Sequence, residues 1–150
     1  AASSAPHAKS ERTMQPGDTL RDRTKAYASR IIRLYGHLQQ RYHFGDAAMV
    51  LGKQLLRSGT SAAANHREAK HTRSKADRIS KFHIIVQELE ESALWLELLS
   101  EHEMAHQDGL HQLLDETNQL ISIFVASLKT LQNGERKAQS GEQPLDDPGS

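Results

Sequence analysis

Residues 20–42, LRDRTKAYASRIIRLYGHLQQRY, decide the fold class. Leu20, Tyr27, Ile31, Leu34, Leu38 and Tyr42 recur at steps of three, four and seven. At 100° per residue they make one apolar stripe between charged flanks, the signature of an amphipathic helix. Asp18 or Thr19 can cap its start, and His43, Phe44 and Gly45 end it. The rest of the chain repeats the pattern.

Asp46 is placed to cap a second helix through Ala47, Val50, Leu51 and Leu55, continuing along the small residues Gly59, Ala62, Ala63 and Ala64 to about Ala69. Small residues there let a neighbouring backbone approach closely. A third helix starts at Ser74, whose hydroxyl and Asp77 three residues on form a capping box. Its core stripe is Ile79, Phe82, Val86, Leu89, Ala93 and Leu96, and it extends to about Ala105, the longest rod expected. After Gln107, Asp108 and Gly109, a fourth helix carries Leu113, Thr117, Leu120, Phe124, Leu128 and Leu131, and Asn133 with Gly134 reads as its stop. No period-2 alternation or hairpin dipeptide marks a strand. The expected architecture is all-α, an up-down-up-down four-helix bundle over residues 19–133. Residues 1–18 and 134–150 are read as disordered tails.

A length of 150 residues suits one domain, burying roughly 68 to 70% of its chain surface. With no cysteine, a disulfide scaffold is excluded. No run approaches the roughly 18 apolar residues of a membrane span. The first twenty residues lack the apolar core of a secretory leader, so a cytoplasmic protein is expected.

The formal net charge is zero, yet the charge is polarised. Residues 1–83 hold 16 basic and 6 acidic side chains, while the remainder holds 3 basic and 13 acidic. Such asymmetry points to a charged partner or to self-association. Lys53 and Arg57 lie one turn apart on the second helix, and Arg67, Lys70, Arg73, Lys75, Arg78 and Lys81 crowd the connection between helices two and three. Basic side chains gathered in this way can release counterions from a phosphate backbone. No aromatic interleaving accompanies them, so recognition would rest on charge and shape with little base readout. The alternative is that acidic residues, within the bundle or on another subunit, satisfy them.

On the third helix Ile84, Trp95 and Leu98 are expected opposite the core stripe, interleaved with Glu88 and Glu91. An indole on the solvent face of a bundle exposes a large apolar surface unless a subunit or a tail covers it. These three residues are the expected oligomer interface.

His102, Glu103 and His106 spell H-E-x-x-H, in which two His one turn apart on a helix bind zinc while the Glu activates water. Gln112 stands where the longer version of that motif requires a third His. A zinc-dependent hydrolase also needs a cleft, normally beside a strand edge, and these His read as solvated. No Cys nucleophile, Gly-rich phosphate loop or G-x-S-x-G elbow is present. The expected protein is no enzyme and carries no metal or other cofactor.

Three stretches carry a family resemblance. Residues 56–69, from Leu56-Arg57-Ser58-Gly59 through Asn65-His66-Arg67-Glu68-Ala69, resemble the second-helix signature of the four-helix bundle proteins first described from 23S rRNA intervening sequences. Residues 74–99 resemble the family's third helix, and Glu116 to Lys129 its fourth. Ala62 stands where a bulkier aliphatic is common, and Ala69 where many members carry Gly. The resemblance implies a homopentamer of four-helix protomers. One branch comprises accessory variability determinants of diversity-generating retroelements, whose basic pentamers bind a reverse transcriptase and its RNA. It therefore implies a nucleic-acid surface at Arg57 and Arg67 to Lys81, a helix-packing role for Asn65 and Glu68, and partnership with a second copy, with RNA or DNA, or with a reverse transcriptase. A structural oligomer without nucleic-acid binding is the alternative.

Overall fold

The computed structural model describes residues 19–141, and these form four helices with no strand among them. The helices are α1 (Leu20–Arg41), α2 (Ala47–Ala69), α3 (Lys75–Glu101) and α4 (Gln107–Ser140). The expected tail 1–18, Asp18 included, and residues 142–150 of the expected tail 134–150 lie outside the described residues, while residues 134–140 of that tail are helical. Thr19 is the cap of α1: its hydroxyl oxygen accepts from the Asp22 amide at 3.1 Å and its hydroxyl donates to the Asp22 carboxylate at 2.8 Å. Ser74 caps α3 likewise, accepting from the Asp77 amide at 3.1 Å. Asp46 stands at the N-cap position of α2, but its carboxylate turns back to accept from the His43 amide at 2.7 Å. It thereby pins the turn, in which Gly45 takes φ +89°.

Each helix packs on the next in the chain, while α4 meets α1 only over a short stretch. Tyr27, Ile31 and Leu38 of α1, Leu55 and Ala62 of α2, Ile85, Leu89, Leu96 and Leu99 of α3, and Leu110, Leu120 and Phe124 of α4 are sealed in the core. Close approach of α1 to α2 rests on glycine. A Cβ on Gly52 would stand 2.7 Å from Leu38 Cδ1, and one on Gly59 would overlap Ile31 Cδ1. Val50, expected in the core, is 53% exposed because Ala48, Gly52 and Leu55 take the inner face of α2.

One buried polar layer draws a residue from every helix. Thr117 donates to the Leu113 carbonyl at 2.7 Å, so the Tyr27 hydroxyl, 2.7 Å away, is the donor to Thr117 Oγ1. Ser92 donates to the Glu88 carbonyl at 2.9 Å and accepts from Ser58 at 2.7 Å. Burial raises Tyr27 to about 12, opposed by its hydrogen bond to Thr117. A slip of α1 against α4 by a residue would leave the Tyr27 hydroxyl unpaired in the core, so the layer fixes register as well as contributing contacts.

Two helix boundaries depart from expectation. The chain leaves α3 after Glu101 through a Schellman turn: the Glu103 amide bonds the Ser100 carbonyl and the Met104 amide bonds the Leu99 carbonyl, with Glu103 at φ +50°. Helix α4 passes through Asn133 and Gly134 and ends at Ser140, making it the longest rod at 34 residues against 27 for α3. The bundle's C-terminal boundary therefore lies beyond 133. Gly134 is accommodated because Lys75 packs over it: a Cβ there would stand 2.8 Å from the Lys75 Nζ. Helix-forming Arg136, Lys137, Ala138 and Gln139 carry the rod onward.

Candidate functional site

The basic residues divide into two groups once the helices are in place. Arg57 lies ten residues before Arg67 on α2, about 15 Å up the rod, and it is neutralised there. Its guanidinium donates to Glu91 at 2.9 Å and lies 3.8 Å from Glu88. Burial raises the Glu88 carboxyl above its usual range, with Arg57 pulling it down and Glu91 pushing it up. Lys81 is also spent: it donates to Glu68 at 2.6 Å and to Asn65 at 3.4 Å, tying α3 to α2. Asn65 itself holds the Ser61 carbonyl at 2.9 Å, in the helix-packing role the resemblance implied for it and Glu68. Lys53 is exposed on α2, apart from the turn.

Arg67, Lys70, Arg73, Lys75 and Arg78 stay together and exposed around the α2–α3 turn. Among the described residues no carboxylate lies within ion-pair distance of them. Because Lys75 packs over Gly134, the last turns of α4 reach the same end with exposed Arg136 and Lys137. Sequence reasoning missed these two, having taken Asn133-Gly134 as a stop. The signal available was the run of helix formers after Gly134.

His66 sits beneath this basic end. It is 7% exposed, meets Phe124 edge to face at 5.3 Å, and leaves Nδ1 buried without a partner. Burial holds its pKa below the usual value, and the Lys70 charge lowers it further.

The expected oligomer face is rearranged. Packed on both α2 and α4, α3 buries a wide arc, and Trp95 falls at its edge, half-buried against the core with its indole N–H enclosed and unpartnered. Trp95 therefore does not project from the solvent face. Leu98 is half-buried too, whereas Ile84 is 37% and Leu94 46% exposed. The outward apolar side chains of α3 are Ile84 and Leu94.

The H-E-x-x-H residues do not share a helix. His102 is the C-cap of α3, Glu103 has left-handed backbone in the Schellman turn, and His106 is the N-cap of α4. The i, i+4 placement that makes the motif a zinc ligand pair is absent, and no group of three or more metal-ligating side chains occurs among the described residues.

Residues 20–126 match the family model described as 23S rRNA-intervening sequence protein. The chain belongs to that family. It is also similar to a crystal structure of a protein of unknown function from the S23 ribosomal protein family of Bacteroides thetaiotaomicron VPI-5482. The two share 32% sequence identity with a TM-score of 0.66, over 74% of this chain and 99% of that one. No curated protein matches the chain. Among the described residues no helix is long and apolar enough to cross a membrane.

Proposed function

We propose that this family member is a non-enzymatic, cytoplasmic oligomer whose basic end holds the phosphate backbone of RNA or DNA, as an accessory factor to a nucleic-acid enzyme such as a reverse transcriptase. The observation that carries this reading is the group of five exposed cations at the α2–α3 turn, Arg67, Lys70, Arg73, Lys75 and Arg78, with no carboxylate partner among the described residues. Solvated cations gathered at one end favour a polyanion, since each phosphate contact gains entropy from a released counterion. Arg136 and Lys137 broaden the same surface.

Cross-helix pairs support the up-down-up-down arrangement, because partners run in opposite order along each neighbouring pair, with Ser100 meeting His111 and His83 meeting Gln132 between α3 and α4. Gly52 meets Leu38 while Gly59 meets Ile31, and Arg57 meets Glu91 while Glu68 meets Lys81. Assembly with further copies, a pentamer by family resemblance, is supported by exposed Ile32, Phe44, Val50, Ile84 and Leu94.

Binding to a single-stranded and a duplex RNA, followed by fluorescence anisotropy across salt, tests the reading. Affinity should fall steeply with ionic strength, and changing Arg67, Arg73, Lys75 and Arg78 together to Gln should lower the log–log slope on duplex by about 3 to 4. An absence of binding at low salt refutes it. Light scattering of wild type and Leu94→Asp addresses assembly, where a monomer in both cases contradicts the oligomer.

A further inference from the structure

A second cationic region lies between α1 and the start of α4, away from the α2–α3 turn. Where the two helices part, a groove of about 330 Å³ opens, within the range of sites that enclose small ligands. Arg30, Arg33, His37 and Arg41 line it from α1 at helical spacing, and His106 lines it from the α3–α4 turn. No carboxylate is among its lining residues, and among the described residues none pairs with Arg30 or Arg41. Arg41 packs its guanidinium over Tyr42 at 5.3 Å, which leaves its charge uncompensated. The floor is aliphatic, built by Leu34, Leu38, Met104 and Leu110.

We infer that this groove binds a small amphipathic organic anion, an aliphatic body seated on the leucines with a carboxylate or phosphate head held at one end by Arg41 and by His37 one turn away. Guanidinium groups form parallel hydrogen bonds to either oxyanion, so the head chemistry is shared between the two. Its aromatic lining is limited to the imidazoles of His37 and His106, with no Phe, Tyr or Trp among the lining residues, which favours an aliphatic body over a stacked nucleobase. Two features of α4 add to the fit. Its N-cap His106 makes no side-chain capping bond, and Gly109 on the groove has open space where a Cβ would stand. The inference does not rest on nucleic-acid binding at the other end.

Calorimetric titration of the full chain with decanoate and with decyl phosphate, each below its micelle concentration, tests it beside adenosine monophosphate and inorganic phosphate. One amphiphile per chain should bind saturably, and the tighter of the two identifies the head group. His37→Gln combined with Arg41→Gln should weaken binding at least tenfold without changing thermal melting. If that pair fails to fold, Gly109→Glu carries the test, since it places a carboxylate at the groove in open space and should likewise abolish binding. Failure of both amphiphiles to bind overturns the proposal. So does equal binding of adenosine monophosphate or inorganic phosphate, or binding that survives the variants. A change in solution mass on Gly109→Glu without amphiphile binding assigns the groove to contact between copies, which also overturns it.

Discussion

The two cationic regions differ in what lies beneath the charge. At the α2–α3 turn, Arg67, Lys70, Arg73, Lys75 and Arg78 stand exposed around the join of two helices. Along α1, Arg30 and Arg41 border a concavity floored by Leu34, Leu38 and Leu110. Like charge in unlike surroundings implies unlike ligands. An exposed cationic end gains from many phosphates bound weakly, whereas a lined groove gains from one head group and the burial of one apolar body.

The sharpest break in this comparison is a crossover. The fourfold Gln variant at Arg67, Arg73, Lys75 and Arg78 should lose RNA affinity by about a hundredfold at moderate salt, while amphiphile binding measured by calorimetry stays as in wild type. If both activities fall together, the regions are one surface and the distinction fails.

Next in size is the clasp that holds α1 to α4. Arg23 forks onto Glu116, with contacts at 3.0, 3.1 and 3.2 Å, where both side chains are largely buried. Removing one partner leaves the other charge poorly solvated, so Glu116→Ala should cost about 1 to 3 kcal/mol in urea unfolding. Because the clasp spans the seam that opens into the groove, amphiphile binding should weaken and the salt slope on RNA should not change.

The basic end carries its own pH dependence through His66. Its folded pKa lies below 6.5, so the folded state favours the neutral ring. The stability that follows is full above about 6.5 and is lost as pH falls through the lower folded value. Wild type should therefore lose more urea resistance between pH 7 and pH 5 than His66→Gln does; an equal loss in both proteins would rule out His66 as the source.

The smallest effect is expected at Arg57. Exposed and already engaged by Glu91 and Glu88, it should change the RNA salt slope by well under one unit and stability by about 0.5 kcal/mol when replaced by Gln. A loss comparable to that of Arg73→Gln would show that the pair opens to admit phosphate.

Much of the fold was legible because its determinants are local. The stripe from Tyr27 to Leu38 and the Ser74–Asp77 cap each lie within a few turns, so α1 and the start of α3 stand where the pattern put them. Boundaries failed where tertiary contact overrode a local signal. Asn133-Gly134 resembles a C-cap, yet Lys75 packs over the glycine and α4 continues. His102 to His106 resembles a helical metal pair, yet Glu103 adopts the left-handed backbone that ends α3. The outward reading of Trp95 failed because α3 is packed on two sides, which widens its buried arc beyond a single stripe.

The basic residues were visible as a list, but their availability was not. Composition and periodicity determined an all-helical chain, its family signature and a strong charge asymmetry, since these depend only on residue identity and spacing. Which cations remain uncompensated was decided by tertiary structure. Packing α2 on α3 brings Glu91 to Arg57 and Glu68 to Lys81, while the parting of α1 from α4 leaves Arg30 and Arg41 over an aliphatic floor. Electrostatic pairing depends on distance through space, and residues 34 or 13 apart in the chain meet only after the helices have packed.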